Sequence, residues 1–466
     1  MGNLKTKELD KIGYTGDAVK SLAINAVAMH YKHSNKADVM ALLTAVRDNP
    51  AAYTGDDRFQ KIAEAFIKGE AEQALKTFEL MDEPAPIKIY GADEIEDIAK
   101  KQMTLALSLP ISIRGALMPD AHSGYGLPIG GVLATRNAVI PYGVGMDIGC
   151  RMALTIIDAD EKFIKRYEHH IKQAIGKWTH FGMEGGLPVP QDHEVLDSPM
   201  FNETPLLKKL HGKARQQLGT SGGGNHFVDF GVIDMAGNNA LGLPAKTYMA
   251  LLSHSGSRGL GANIARHYTQ LAMNTCKLPR EAQPLAWLDL NTEAGQEYWL
   301  SMNLAGDYAE ACHDRIHSNL LEALGLKALY KVANHHNFAW KEQLEGGTEA
   351  IVHRKGATPA HIGELGIIPG SMATQAYLVM GKGNTSALNS ASHGAGRAMS
   401  RQDAKGSTTK SAMKKMLAGA GVTLIDGSVE ENPLAYKDIE TVMKAQTELV
   451  AIQGKFYPRI VRMNKE

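Results

Sequence analysis

The chain has 466 residues, 44% hydrophobic and 21% charged, so it can bury a large core and has the composition of an ordinary globular protein. Fifty basic residues balance fifty acidic ones, which excludes a general polyanion-binding footprint and leaves only a local basic patch for any nucleic-acid contact. Three cysteines make no disulfide framework, no apolar run has membrane-spanning length, and the polar start MGNLKTKELDK lacks a secretory h-region; the expectation is a cytoplasmic protein with no membrane partner.

Residues 1–85 read as a helical extension. SLAINAVAMHY and DVMALLTAVRD are apolar at helical spacing, and YTGD occurs at Tyr14–Asp17 and again at Tyr53–Asp56, each time ahead of a helical pattern. MDEPAPIKIY (81–90), with two prolines, reads as a linker. From residue 86 onward glycine-rich turns alternate with short β-like runs such as GGGNHFVDFGVI and TYMALLSHSGSRGLG. Helical stretches are predicted at 161–177, 259–275, 299–325 and 436–452. Strands and helices mix without a regular βαβ beat, which predicts an α+β fold. There is no P-loop and no H-E-x-x-H pair. GTSGG (219–223) matches G-x-S-x-G, but it runs into a strand instead of a helix, so no nucleophile elbow is expected.

The chemistry-bearing residues sit where such runs stop. GVGMDIGC (143–150) places Asp147 and Cys150 three apart among glycines, and His226, His254, His336 and His393 each follow an apolar or small-residue run. One carboxylate, one thiolate and several imidazoles make a plausible metal complement, and a thiolate can bridge two ions. Taken singly, each is more often structural, and no compact zinc-finger spacing joins them. HRKGATPA (353–360), HGAGRAMSR (393–401) and SGSRGLG (255–261) pair glycine with Arg354, Lys355, Arg397, Arg401 and Arg258. Such loops can bring backbone N–H groups and guanidinium forks to phosphate.

Nine motifs occur in order: MPDAHSGYGLPIGG, VGMDIGC, GGGNHF, HSGSRGLG, HHNFA, HRKGAT, PGSM, SHGAGRAMSR and AYKDI. Together, from about residue 87 to the C-terminus, they resemble the RtcB family of 3′-phosphate RNA ligases. The resemblance implies central β-sheets flanked by helices, with residues 86–466 as the catalytic domain. It implies that Asp147, Cys150, His226, His254 and His336 bind two manganese ions, with Cys150 bridging. His393 matches the histidine that attacks the α-phosphate of GTP. Asn225, Asp229, Asn337, Pro369, Gly370, Ser371, Met372, Gly394, Ala395, Gly396 and Lys465 match nucleotide-contact positions. The implied reaction joins an RNA 3′-phosphate or 2′,3′-cyclic phosphate to a 5′-hydroxyl, in RNA repair or tRNA splicing. An archease-like activator is an implied partner.

The chain departs from the family pattern at Arg151, Asp229, Ala373 and Ala376, where Gly, Glu, Gly and Ser are usual. The expectation is a divergent repair-type paralogue whose residues 1–85 help dock a particular broken RNA. A metal-dependent phosphoesterase that no longer ligates is the alternative, and a non-catalytic RNA-binding paralogue is a third.

Overall fold

The computed structural model describes residues 6–14, 17–31, 34–72, 76–182 and 185–465. The chain divides after Thr77 into two compact units.

The first unit is helical: α1 (Thr6–Lys11), α2 (Asp17–His30), α3 (Lys36–Asp48) and α4 (Gln60–Glu72). Asn35 caps α3 by accepting a hydrogen bond from the Ala37 amide at 2.9 Å, satisfying one orphan donor of the first turn. Val39, Leu43 and Val46 then share one helical face and bury against Leu9, Ala23, Val27, Phe59 and Ile62. Tyr14 can enter this core because its hydroxyl donates to the Leu43 carbonyl at 2.8 Å. In the second YTGD, Asp56 accepts from the Arg58 amide and so closes the turn before α4. In the first, Thr15 and Gly16 lie outside the described residues.

The stretch expected as a linker belongs instead to the second unit. Met81 and Ala85 donate backbone hydrogen bonds to Ser108 and Leu107, and β1 (Ile87–Ile89) pairs in parallel with β2 (Ser112–His122). Pro84 and Pro86 precede β1, so neither removes a donor from the ladder, and the Pro86 carbonyl still accepts from the Gly115 amide.

Two sheets organise this unit. The first contains β1, β2, β3 (Ile129–Thr135), β8 (Asn337–Gln343) and β9 (Glu349–Lys355), in spatial order β8-β9-β3-β2-β1. The second contains β4 (Arg151–Ile157), β5 (Phe227–Met235), β6 (Thr247–Ser255), β7 (Ala328–His335), β10 (Leu365–Ile368), β11 (Ala376–Gly381), β12 (Thr423–Leu424) and β13 (Val450–Met463). Its path is β7-β4-β6-β5-β13-β11-β10, with β12 parallel to β13. Side chains alternate across it. Met152, Leu154, Ile156 and Leu252 face one way, while Ile157, Val228, Phe230 and Leu251 pack against α6 (Glu161–Trp178) and α9 (Glu293–Leu324).

The predicted helices at 161–177 and 259–275 appear as α6 and α8 (Arg258–Thr275), and the one at 299–325 begins earlier, at Glu293, where Thr292 caps it. The helix expected at 436–452 is corrected. Only Ile439–Lys444 is helical, and from Val450 the chain becomes β13, because pairing with strands on both sides outweighs local propensity.

Candidate active site

The chain crosses from one sheet to the other at two places that matter most. Residues 136–150 connect β3 to β4, and His336 alone separates β7 from β8. The crossings are tied together: the His336 amide donates to Cys150 O at 2.9 Å, and the Gly149 amide to Asn337 O at 2.8 Å. Gly149 takes a left-handed φ of 70° to make that turn. Across from it, a Cβ on Gly256 would stand 2.0 Å from Asp147 Oδ1, so only glycine leaves room for the carboxylate.

Asp147 and Cys150 thus meet His226, which precedes β5, and His254, near the end of β6. Cys150 Sγ lies 3.4 Å from His226 Nε2 and 3.2 Å from His254 Nε2. His254 Nε2 lies 3.2 Å from His336 Nε2, and His226 Nε2 lies 3.0 Å from Asp147 Oδ2. Two ligand triads result, Cys150–His254–His336 and Asp147–Cys150–His226, sharing the thiol. His254 Nδ1 faces the Asn225 carbonyl at 3.0 Å. A carbonyl only accepts, so Nδ1 carries the proton and Nε2 presents its lone pair to the cluster. Buried His226 Nδ1 and His336 Nδ1 have no hydrogen-bond partner, while their Nε2 atoms crowd other acceptors. Hydrogen bonding alone would not choose this arrangement; cations would. The donor set and its spacing fit metal binding.

Burial holds His254 neutral, its pKa pushed down to about 3, and likewise pushes His336 well below the usual imidazole range. Burial also pushes the Cys150 thiol well up, and the Asp147 charge adds to that. Burial works against ionisation of Asp147 itself, but His226 outweighs it and the carboxyl lies below its usual range.

His393 follows the short strand Ser390–Ser392. Its Nδ1 lies 2.6 Å from Asp120 Oδ2, which also accepts from the His393 and Gly394 amides. Asp120 is fully buried. Desolvation opposes its charge, yet His393, His122 and Lys437 prevail and keep it ionised. The ionised carboxylate therefore accepts a hydrogen bond from Nδ1–H, which leaves the lone pair on Nε2. The His393 and His336 rings are 5.0 Å apart, which brings this nitrogen beside the ligand cluster.

Six of these seven residues, all but buried Asp120, line one cleft of about 990 Å³. Asn225, Asp229, Asn337, Pro369, Gly370, Ser371, Met372, Gly394, Ala395, Gly396, Lys355 and Arg397 line it too. Asn337 spends its amide on Asp147 O and the Gly356 amide, so it braces the crossings. Asp229 stands among Met152, Leu252, Phe456 and Met463; burial raises its carboxyl well above the usual range, and its Oδ1 is unpartnered.

Three cationic residues do not serve the cleft as expected. Arg354 lies in β9, not in a loop. It is fully buried, paired with Glu342 at 2.6 Å, bonded to Ser390 and Leu388, and stacked on Trp340. Arg258 gives its donors to Thr220 Oγ1 and Gly182 O. Lys465 is exposed, 3.8 Å from Asp426, and does not line the cleft. Arg397 does line it, but its guanidinium holds Glu431 and the Glu430 carbonyl. Arg401 lines it half-exposed. Arg151, following Cys150, points away, to His335 Nδ1 and Glu310, both at 2.9 Å. The sequence reading missed Asp120, although MPDAHSGYG contains it, and Glu431 and Tyr436, which complete one wall. GTSGG is no elbow: it follows a helix and leads to β5, and buried Ser221 bonds the His254 carbonyl.

The tRNA-splicing ligase RtcB family model matches residues 102–204 and 190–463. The chain belongs to the RtcB family. It is 32% identical over 409 residues to the RNA-splicing ligase RtcB of Escherichia coli K12, covering 80% of this chain and 96% of that one. It is 30% identical over 441 residues to the tRNA-splicing ligase RtcB of Nanoarchaeum equitans, covering 78% and 92%. It is 31% identical over 412 residues to the RNA-splicing ligase RtcB of Mycobacterium tuberculosis, covering 74% and 95%. Among the described residues, no helix is long and apolar enough to cross a membrane.

Proposed function

We infer that the chain is an RNA ligase that uses His393 as its nucleophile toward GTP and joins RNA 3′-phosphate or 2′,3′-cyclic phosphate ends to 5′-hydroxyl ends. The observation that carries this reading is the Asp120–His393 pair beside the two thiol-sharing ligand triads. The pair keeps the Nδ1 proton on one side of the imidazole and the reactive lone pair on the other. His393 Nε2 forms a bond to the α-phosphorus of GTP, and pyrophosphate departs with the electrons of the broken P–O bond. Asp120 offsets the positive charge that develops on the ring. GMP passes to the RNA 3′-phosphate, and the 5′-hydroxyl then attacks that phosphorus and expels GMP. A cyclic phosphate is first opened to the 3′-phosphate.

The two triads would hold two manganese ions, which supply charge neutralisation and alignment of the phosphates when bound. The apolar wall of Met152, Leu252, Phe456 and Met463, with Asp229 in it, suits a purine base, and the 369–372 turn suits its sugar and phosphates. Arg401, half-exposed in the lining, is the cation that would meet RNA phosphate. The three free cysteines accord with a cytoplasmic setting, in RNA repair or tRNA processing, with an archease-like protein as activator.

Incubation with α-³²P-labelled GTP and manganese, followed by a denaturing gel, tests the reading. An acid-labile, alkali-stable labelled band in the native chain, absent in His393→Ala, is the expected result. A fully metallated native chain that gives no band with GTP or ATP, yet hydrolyses RNA ends, would sink ligation in favour of a phosphoesterase.

A further inference from the structure

The loop between β2 and β3 presents an aromatic ring where packing gives no reason for one. Tyr125 is 77% exposed, among the most exposed large hydrophobic side chains described. Its backbone, by contrast, is pinned from three directions. Glu96 Oε1 accepts from the Ser123 amide at 2.5 Å. Gln102 brackets Gly124, accepting from its amide at 3.0 Å and donating to its carbonyl at 2.6 Å. The Lys355 ammonium donates to the Tyr125 carbonyl and, at 3.1 Å, to that of Tyr142.

A second ring stands beside the first. Tyr142 follows β3, and its ring lies 6.3 Å from that of Tyr125 at an interplanar angle of 29°. Lys355 Nζ lies 5.2 Å from the Tyr142 centroid. Partly exposed Met146 lines the same mouth. The pair is also close to the chemistry. Gly356, next to Lys355, is so placed that a Cβ on it would stand 3.2 Å from His393 Cε1.

We propose that Tyr125 and Tyr142 form a stacking platform for the nucleobase of an RNA terminal nucleotide at the join. A ring left in solvent on a pinned backbone offers a π face with no loop to order on binding, only the side chain. Near-parallel rings whose backbones Lys355 ties together suit a flat base. The apolar wall around Asp229 belongs to the eight-stranded sheet, whereas the platform stands on the five-stranded one. The GTP base and the RNA base therefore have separate surfaces. The proposal rests on the ligase reading for its ligand; the geometry of the rings does not.

The test uses the full metallated chain and two RNA strands, with an abasic residue placed in turn at the 3′-phosphate and 5′-hydroxyl terminal nucleotides. Metal content and thermal midpoint establish that each variant is folded. At subsaturating RNA, Tyr125→Ala should lower joining of base-bearing strands by about tenfold or more, and Tyr125→Phe should restore most of it. Abasic substitution in one strand should lower native joining to the same level, with no further loss in Tyr125→Ala, and that strand is the one stacked. Equal joining by Tyr125→Ala and the native chain, or an undiminished deficit on abasic ends, would overturn the platform. If the native chain shows neither His393 labelling nor joining, the ligase reading fails instead. The platform is then judged by binding alone: 2-aminopurine at the strand terminus should be quenched by the native chain and not by Tyr125→Ala.

Discussion

The two faces of the eight-stranded sheet each bury a pair or more of histidines, and they treat them oppositely. On the face toward α9, His313 and His317 lie among Thr155, Ser253 and Ser255. Thr155 Oγ1 is 2.7 Å from His317 Nδ1, Ser253 Oγ bridges His317 Nε2 at 2.7 Å and His313 Nδ1 at 2.6 Å, and His313 Nε2 reaches Ser255 O at 3.3 Å. One direction of donation runs through the whole chain: threonine to histidine, histidine to serine, serine to histidine, histidine to carbonyl. Every nitrogen is satisfied with both rings neutral, and burial accordingly pushes His317 down to about 3. On the cleft face, Nε2 atoms of His226, His254 and His336 converge on one another and on a thiol, and two Nδ1 atoms are stranded. Burial therefore does not separate a ligand from a structural histidine. Whether the lone pairs have partners does.

The largest expected effect breaks this contrast directly. His254→Ala should abolish binding of the second ion, read as metal per chain, and joining with it. His317→Ala should leave the metal content unchanged and lower stability by about 2–5 kcal/mol, because two buried hydroxyls lose partners and a void opens. Loss of metal in His317→Ala would show that the contrast between the faces is false. His393 stands between the two classes, one nitrogen satisfied and one free. Asp120→Asn should reduce labelling by GTP about 10³- to 10⁴-fold with metal content intact, since an amide can donate and so favours the wrong tautomer. A smaller effect concerns protons. The Cys150 thiol is raised by burial and by Asp147, and only its thiolate binds a cation. Metal affinity should rise with pH and binding should release protons, measured by calorimetry in buffers of different ionisation enthalpy.

The sequence was most legible where glycine and a chemistry-bearing residue adjoin. Asp147, Cys150, His226, His254 and His393 stand in such motifs, His336 stands in HHNFA without one, and the structure brings all six to one cleft. It was least legible for arginines. HRKGATPA reads as a basic loop, but Arg354 and Lys355 alternate along a strand, one into the core and one toward the cleft, and only the partner Glu342 decides the first. A period of two cannot be seen in three residues. The segment 436–452 misled for a different reason: its helical pattern is local, whereas β13 is held by strands far away in the chain.

That placement has a consequence for how the molecule is made. β13 is the last strand in the chain, yet it lies inside the larger sheet, between β5 and β11. Until it arrives, β5 and β11 each lack a neighbour on one side, and the wall of the cleft carrying Phe456 and Met463 does not exist. A ribosome must therefore deliver nearly the whole chain before that wall can form, although Asp147, Cys150, His226, His254 and His336 have all emerged well before it. Insertion of this last strand is the step that completes the cleft.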